Sequence, residues 1–208
     1  MGNNSHRSSP RNKIRPYFVS YYDNDACKGN QTPYYKYVDD LTFVESRKCT
    51  QQSHIQRSLV NLQSWTTNNN MKLNAAKCHS MTVCFSNNIE QPEPVLCIND
   101  VQLRNVQYVK VLGVIIQDNL KWDKHVGEVI KKCNRKLYMF RCLRSYNLPM
   151  SDLLAVYKGY IRPVLDYCVP VFNGNLTQDQ VNMLERVQRR VCRIILGKDY
   201  SSYKDALS

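Results

Sequence analysis

The chain has 208 residues, 43% of them apolar, and a formal net charge of +12. This excludes a disordered polyelectrolyte and suits one full core or two small domains. Nine cysteines with no CxxC pair and no apolar leader argue against a secreted disulfide scaffold and for reduced thiols in an intracellular protein.

Residues 1–33 are rich in Ser, Asn, Arg and Pro and form a loose basic leader, in which "YFVSYY" (17–22) suits a short strand. The stretch "KYVDDLTFV" (36–44) follows. Tyr, Val, Thr and Phe favour a pleated strand and Asp does not, so the pattern predicts Tyr34–Val38 leading up, Asp39 and Asp40 making the bend, and Leu41–Glu45 leading back. From Ser53 the period changes to three and four: Ile55, Leu59, Leu62 and Trp65 mark an amphipathic helix stopped by the asparagines at 68–70. Met81, Val83 and Phe85 alternate with polar residues and predict a strand at 79–86, followed by a proline-bearing loop at 87–94. "VLCINDVQL" predicts a hairpin turning at Asn99-Asp100, and "YVKVLGVII" (108–116) a single buried strand. Residues 34–116 thus make a strand-rich α+β unit.

From Trp122 the pattern is helical. Val126, Ile130, Cys133, Leu137 and Phe140 form one apolar stripe, and the surrounding 121–144 stretch carries a net +6. Leu148-Pro149 breaks this helix, Ser151 is expected to cap a second that ends at Ile161-Arg162-Pro163, and Thr177 with Gln180 forms a capping box for a third. That third helix turns Val181, Leu184, Val187, Val191 and Ile194 inward and Arg186, Arg189, Arg190 and Arg193 outward, with Gly197 as its stop. Each basic face is either a solvated helix surface or a polyanion-binding surface; two in one helical unit favour nucleic acid. No apolar run approaches the length of a membrane span. Cys78, His79 and Cys84 lack the spacing of a zinc finger.

Adjacent carboxylates at a hairpin tip are either two acids in an ordinary turn or a ligand pair for a hard divalent cation such as Mg²⁺. The neighbouring motifs weigh in. Tyr37-Val38-Asp39-Asp40, then "LNAAKC" (73–78), then Leu112-Gly113-Val114 with Leu120, Trp122 and His125, then "YIRPVLDYCVPVF" and "LERVQRRVCRIILG", resemble in order the reverse transcriptases of non-LTR (LINE-type, jockey-like) retrotransposons.

The resemblance covers roughly residues 34–197. It implies a partial polymerase palm over 34–118, an antiparallel sheet with the YxDD hairpin and a packed helix. An all-α thumb of about three helices follows over 119–200, and 201–208 is a tail. By the same resemblance Asp39 and Asp40 would be the catalytic Mg²⁺ (or Mn²⁺) ligands. Tyr37, Lys77, Leu112 and Gly113 would lie near the primer end and the nucleotide. Lys121, Lys124, Lys131, Lys132, Arg135, Lys136, Arg186, Arg189, Arg190 and Arg193 would hold an RNA template and DNA primer. The family's upstream Asp-rich strand, Gly-x-Pro-Gln-Gly segment and fingers are missing. Asp23 and Asp25 stand too close to Asp39 to replace them, because a strand–helix crossover needs a dozen residues or more. The expectation is an enzyme fragment inactive alone, prone to oligomerise or to seek its missing half through an exposed palm edge. The alternative is a catalytically dead nucleic-acid-binding remnant.

Overall fold

The computed structural model describes residue 27 and residues 32–47, 51–85 and 94–205. The expected strand at 17–22, Asp23 and Asp25, most of the leader and most of the 87–94 loop lie outside these residues. The described residues divide into two compact units: those up to Ser80 with 94–105, and 81–85 with 106–205. The 106–118 segment, grouped with the palm on sequence, falls in the second unit with the helices.

In the first unit β1 (Tyr34–Tyr37) and β2 (Asp40–Phe43) form an antiparallel hairpin. Helix α1 (Ile55–Asn68) follows where the apolar periodicity placed it. Its start is built by Glu45, whose carboxylate accepts from Ser53 Oγ and the His54 N–H, both at 2.7 Å. The Ser53 hydroxyl in turn accepts from the Ile55 N–H at 3.3 Å, so an otherwise orphaned helix donor is satisfied. At the far end Asn70 adopts φ +54°, a conformation asparagine tolerates and most side chains do not.

Leu59 of α1 is buried with Leu96, Ile98 and Leu103 and Leu62 with Cys27; Phe43 and Leu73 lean on both groups and Leu41 on the second. Gln56 and Gln63, seven residues apart and so on one helix face, hold the next element. The Gln56 amide bonds both backbone groups of Cys97 (3.1 and 2.8 Å), and Gln63 Nε2 donates to Asn99 Oδ1 at 2.9 Å. That element is the expected hairpin, β4 (Cys97–Ile98) and β5 (Val101–Gln102). Its turn residues Asn99 (φ +49°) and Asp100 (φ +60°) have the sign that a two-residue turn between twisted strands requires.

The sequence reading departs from the structure at two strands. Among the described residues of the run expected at 79–86 only β3 (His79–Ser80) is strand; it pairs in parallel with β6 (Arg104–Asn105). Met81–Phe85 has no ladder, and Phe85 is 88% exposed. Alternation without a neighbouring edge does not make a strand. Residues 108–116 are a hairpin rather than one strand: β7 (Tyr108–Val111) and β8 (Val114–Gln117) turn at Leu112 (φ +48°) and Gly113 (φ +90°). The continuous apolar run hid this turn because only Gly113 signals it. Among the described residues the strands form four separate two-stranded ladders rather than one antiparallel sheet.

The second unit continues with α2 (Asp123–Ser145), α3 (Met150–Val156), a π turn (Tyr157–Ile161), α4 (Arg162–Asp166), α5 (Val169–Phe172) and α6 (Gln178–Leu196). Ser151 does not cap α3: Pro149 is the N-cap residue and the Ser151 hydroxyl donates to Asp152 Oδ1 instead. Pro163 does not end the helical run. It sits in the first turn of α4, where proline's missing N–H costs nothing. The Thr177–Gln180 capping box forms in both directions, at 3.0 and 3.3 Å.

The core joins Val129, Cys133, Leu137 and Phe140 of α2 to Leu153, Ile161, Leu165 and to Val187, Val191 and Ile195 of α6. Cys133 is fully buried there, and burial pushes its thiol up to about 11. It packs as a small apolar group rather than acting as a thiolate.

Helices α2 and α6 lie side by side and parallel. Near their N-termini Gln180 Nε2 donates to Asp123 Oδ1 at 2.7 Å, and farther along Arg190 Nη1 donates to Asn134 Oδ1 at 3.2 Å. Near their C-termini Arg144 Nη2 stands 3.0 Å from where a Cβ on Gly197 would be.

Candidate functional site

The β1–β2 register pairs Tyr37 with Asp40 and Tyr35 with Thr42. The two turn residues are therefore Val38 and Asp39, and Asp40 is already on the return strand, one residue off the bend expected at Asp39-Asp40. Residues directly opposite on antiparallel strands share a face, so Asp40 sits with Tyr37 and Tyr35, while Leu41 and Phe43 lean on the core. Tyr34 meets Phe43 edge-on, ring centroids 6.4 Å apart. Tyr35, Tyr37 and Val38 are each more than 60% exposed, and Asp39 and Asp40 are exposed beside them.

Val38 holds φ +52°. A β-branched residue in the left-handed region is strained, and such strain concentrates where a chain must present a group to a ligand. The hairpin thus brings together three of the expected residues, Tyr37, Asp39 and Asp40, at one solvent-facing tip.

The donor set at this tip is two carboxylates. No group of three or more His, Cys, Asp or Glu side chains able to hold a metal occurs among the described residues. Asp39 and Asp40 therefore fit part of a divalent-cation site, and a further ligand is needed to close it.

Lys77 belongs to the same unit, exposed on a 3₁₀ turn (Ala75–Lys77). Leu112 and Gly113 belong to the other unit, at the β7–β8 tip. There Tyr167 secures them: its hydroxyl donates to the Leu112 carbonyl, and its ring edge lies 3.2 Å from where a Gly113 Cβ would stand. Sequence reasoning missed Tyr167, whose partner is 55 residues away and whose spacing announces nothing.

The cations divide by what they touch. Lys124 Nζ lies 4.4 Å over the Tyr108 ring; Lys136 Nζ lies 3.7 Å over the Tyr160 ring and donates to its carbonyl at 2.7 Å. Arg189 pairs with Glu185 at 2.9 Å and faces Tyr203; Arg193 faces Tyr200. Lys121, Lys131, Arg135, Arg186 and Arg190 are exposed, and Lys132 is half-buried. At the β8–α2 junction His125 is buried, its Nδ1 accepting from the Ile115 N–H at 3.3 Å. Trp122 and Phe172 pack on its ring with centroids 6.0 and 4.8 Å away.

Comparison with known proteins follows the same lines. Over 197 residues the chain is 25% identical to a probable RNA-directed DNA polymerase from the transposon X-element of Drosophila melanogaster, covering 90% of this chain and 21% of that protein. Over 165 residues it is 26% identical to the RNA-directed DNA polymerase from mobile element jockey of Drosophila funebris, covering 77% of this chain and 18% of that protein. The jockey enzyme of Drosophila melanogaster matches with the same identity and coverage. The chain spans about a fifth of the length of these curated relatives. No family model and no solved structure matches it.

Proposed function

From its similarity to the RNA-directed DNA polymerases of jockey-type mobile elements, a reverse-transcriptase-like chain, we propose that it carries the YxDD hairpin and the helical thumb of such a polymerase. Its reaction is metal-dependent nucleotidyl transfer onto a DNA primer annealed to an RNA template. The observation that carries this reading is the solvent-facing pair of acids, Asp39 in a two-residue turn with the strained Val38 and Asp40 at the start of the return strand.

Asp39 and Asp40 would hold a divalent cation, Mg²⁺ or Mn²⁺, which when bound offsets the negative charge of the reacting phosphates. Tyr37, opposite Asp40 on the same face, supports the primer end. Lys77 supplies a positive charge for the nucleotide's phosphates. The Leu112-Gly113 turn, secured by Tyr167, grips the primer, and the cations of α2 and α6 hold the nucleic-acid backbone without reading its sequence. No helix among the described residues is long and apolar enough to cross a membrane.

Manganese titration followed by NMR tests the carboxylate pair without requiring turnover. Amide signals of residues 37–41 should broaden first, and Asp39→Ala should remove that selectivity. Uniform broadening, or the same pattern in the variant, would overturn the assignment. Primer extension on an RNA template is the functional counterpart. Two carboxylates leave the metal site incomplete, so no incorporation is expected from the 208-residue chain by itself. Incorporation abolished by Asp39→Ala would show that the site is complete after all. A second reading, a binding remnant without catalysis, rests on the net +6 stretch at 121–144 and the arginine face of α6.

A further inference from the structure

The parallel packing of α2 and α6 arranges side chains in a way the sequence does not reveal. The Arg190–Asn134 hydrogen bond lies on the exposed side of the seam between the two helices. On α2 the positions sharing that face with Asn134 step by three and four: Lys131, Asn134, Tyr138 and Arg141. On α6, Arg186 lies one turn before Arg190. Lys131, Arg141, Arg186 and Arg190 are exposed, and no Asp or Glu occupies either stripe over this length. In the middle stands Tyr138, 71% exposed. The acids of the same helices lie elsewhere: Glu185 pairs with Arg189 on another side of α6, and Asp123 accepts from Gln180 at the N-terminal end.

We propose that this seam is a binding track for single-stranded nucleic acid, with the backbone lying along the cations and one base stacked on Tyr138. The proposal rests on the nucleic-acid reading of the basic helices given above and adds where the strand lies and in what form. Charge complementarity argues for it, since α6 offers two cations one helical turn apart, about 6 Å from Arg186 to Arg190 by helical rise, α2 places Lys131 and Arg141 on either side of Tyr138, and neither stripe has an acid to repel a phosphate. An exposed aromatic ring set among cations is the chemistry that holds unpaired bases, because every base has a face to stack. A duplex, whose bases are already stacked on each other, would leave Tyr138 without a role.

The test uses the 208-residue chain and a fluorescein-labelled 12-nucleotide RNA of mixed sequence, with binding read by anisotropy across a salt series. Lys131→Ala, Arg186→Ala and Arg190→Ala should each weaken binding and reduce the slope of log K against log salt by about one. Tyr138→Ala should weaken binding about tenfold with the slope unchanged, and Tyr138→Phe should restore it, since stacking needs the ring and not the hydroxyl. Asn134→Ala breaks the Arg190 tie while keeping the charge, so it should leave the slope unchanged and separate a packing role from a phosphate contact. Lys158→Ala, exposed outside the seam, should match wild type. If the chain binds RNA but the seam variants behave as wild type, the seam assignment falls and the broader nucleic-acid reading stands. If there is no binding at low salt, both fall. If an RNA–DNA duplex of equal length binds as tightly and Tyr138→Ala changes nothing, the single-strand assignment is overturned.

Discussion

Val38 stands out by its backbone. Holding an L side chain in the left-handed region costs about 1–2 kcal/mol, and valine's branched Cβ is poorly suited to it. Asparagine tolerates that region. Val38→Asn is therefore expected to stabilise the protein by about 1 kcal/mol in urea unfolding; a destabilisation would show that Val38 packs against something worth more than the strain.

His125 makes a second statement at this scale. Its Nδ1 accepts from the Ile115 N–H, so the ring is neutral with its proton on Nε2, a buried nitrogen that, like Trp122 Nε1, meets no acceptor among the described residues. Burial first, and the Lys132 charge second, hold its pKa below the usual imidazole value. As pH falls, the unfolded chain takes up this proton before the folded one does. The contribution of neutral His125 is thus complete above about pH 6.5 and declines as pH drops below that value. Urea unfolding from pH 8 to pH 5 should show wild type losing stability below 6.5 more steeply than His125→Phe. Parallel losses would exclude His125 as the source.

Among the elements, α6 is the one whose local sequence and tertiary role coincide. Thr177 and Gln180 cap each other's backbone donors, and Gln180, itself buried, also donates to Asp123 at the start of α2. Thr177→Ala should cost about 1 kcal/mol, the ordinary value of an N-cap. Gln180→Ala should cost more, because it also leaves Asp123 without that donor. A double-mutant cycle between Gln180 and Asp123 measures the tie; no coupling would mean the capping box alone accounts for the effect. Elements that were legible are those with a local cause. The asparagine stop of α1, the Asn99-Asp100 turn and the capping box each need only neighbouring residues. The β7–β8 hairpin was not legible, since Leu112 is a poor turn residue held by a tyrosine far away in sequence. Nor was the end of the 79–86 strand, which depends on whether an edge is present to pair with.

For the molecule as a whole, the hairpin surface matters most. Among the described residues β1 and β2 pair only with each other, while Tyr35, Tyr37 and Val38 are open to solvent. A short ladder that exposes its aromatics invites another strand. Sedimentation of the purified chain is expected to show concentration-dependent self-association that Tyr35→Lys weakens, a charge on the exposed face opposing a second copy. A monomer at all concentrations would exclude this surface as adhesive.

Composition, charge and ordered motifs were enough to anticipate the α+β class, the amphipathic helices, the paired acids beside a tyrosine and the likeness to jockey-type polymerases, because each is written in residue type and short-range spacing. Tertiary structure decided the rest: that Asp39 lies in the turn and Asp40 on the strand, that Tyr167 secures the Leu112-Gly113 bend, and that α2 and α6 run parallel so that their cations line one seam. The first depends on the register that the two strands adopt; the other two depend on contacts between residues 50 or more positions apart, and no local periodicity encodes which distant partner a side chain will meet.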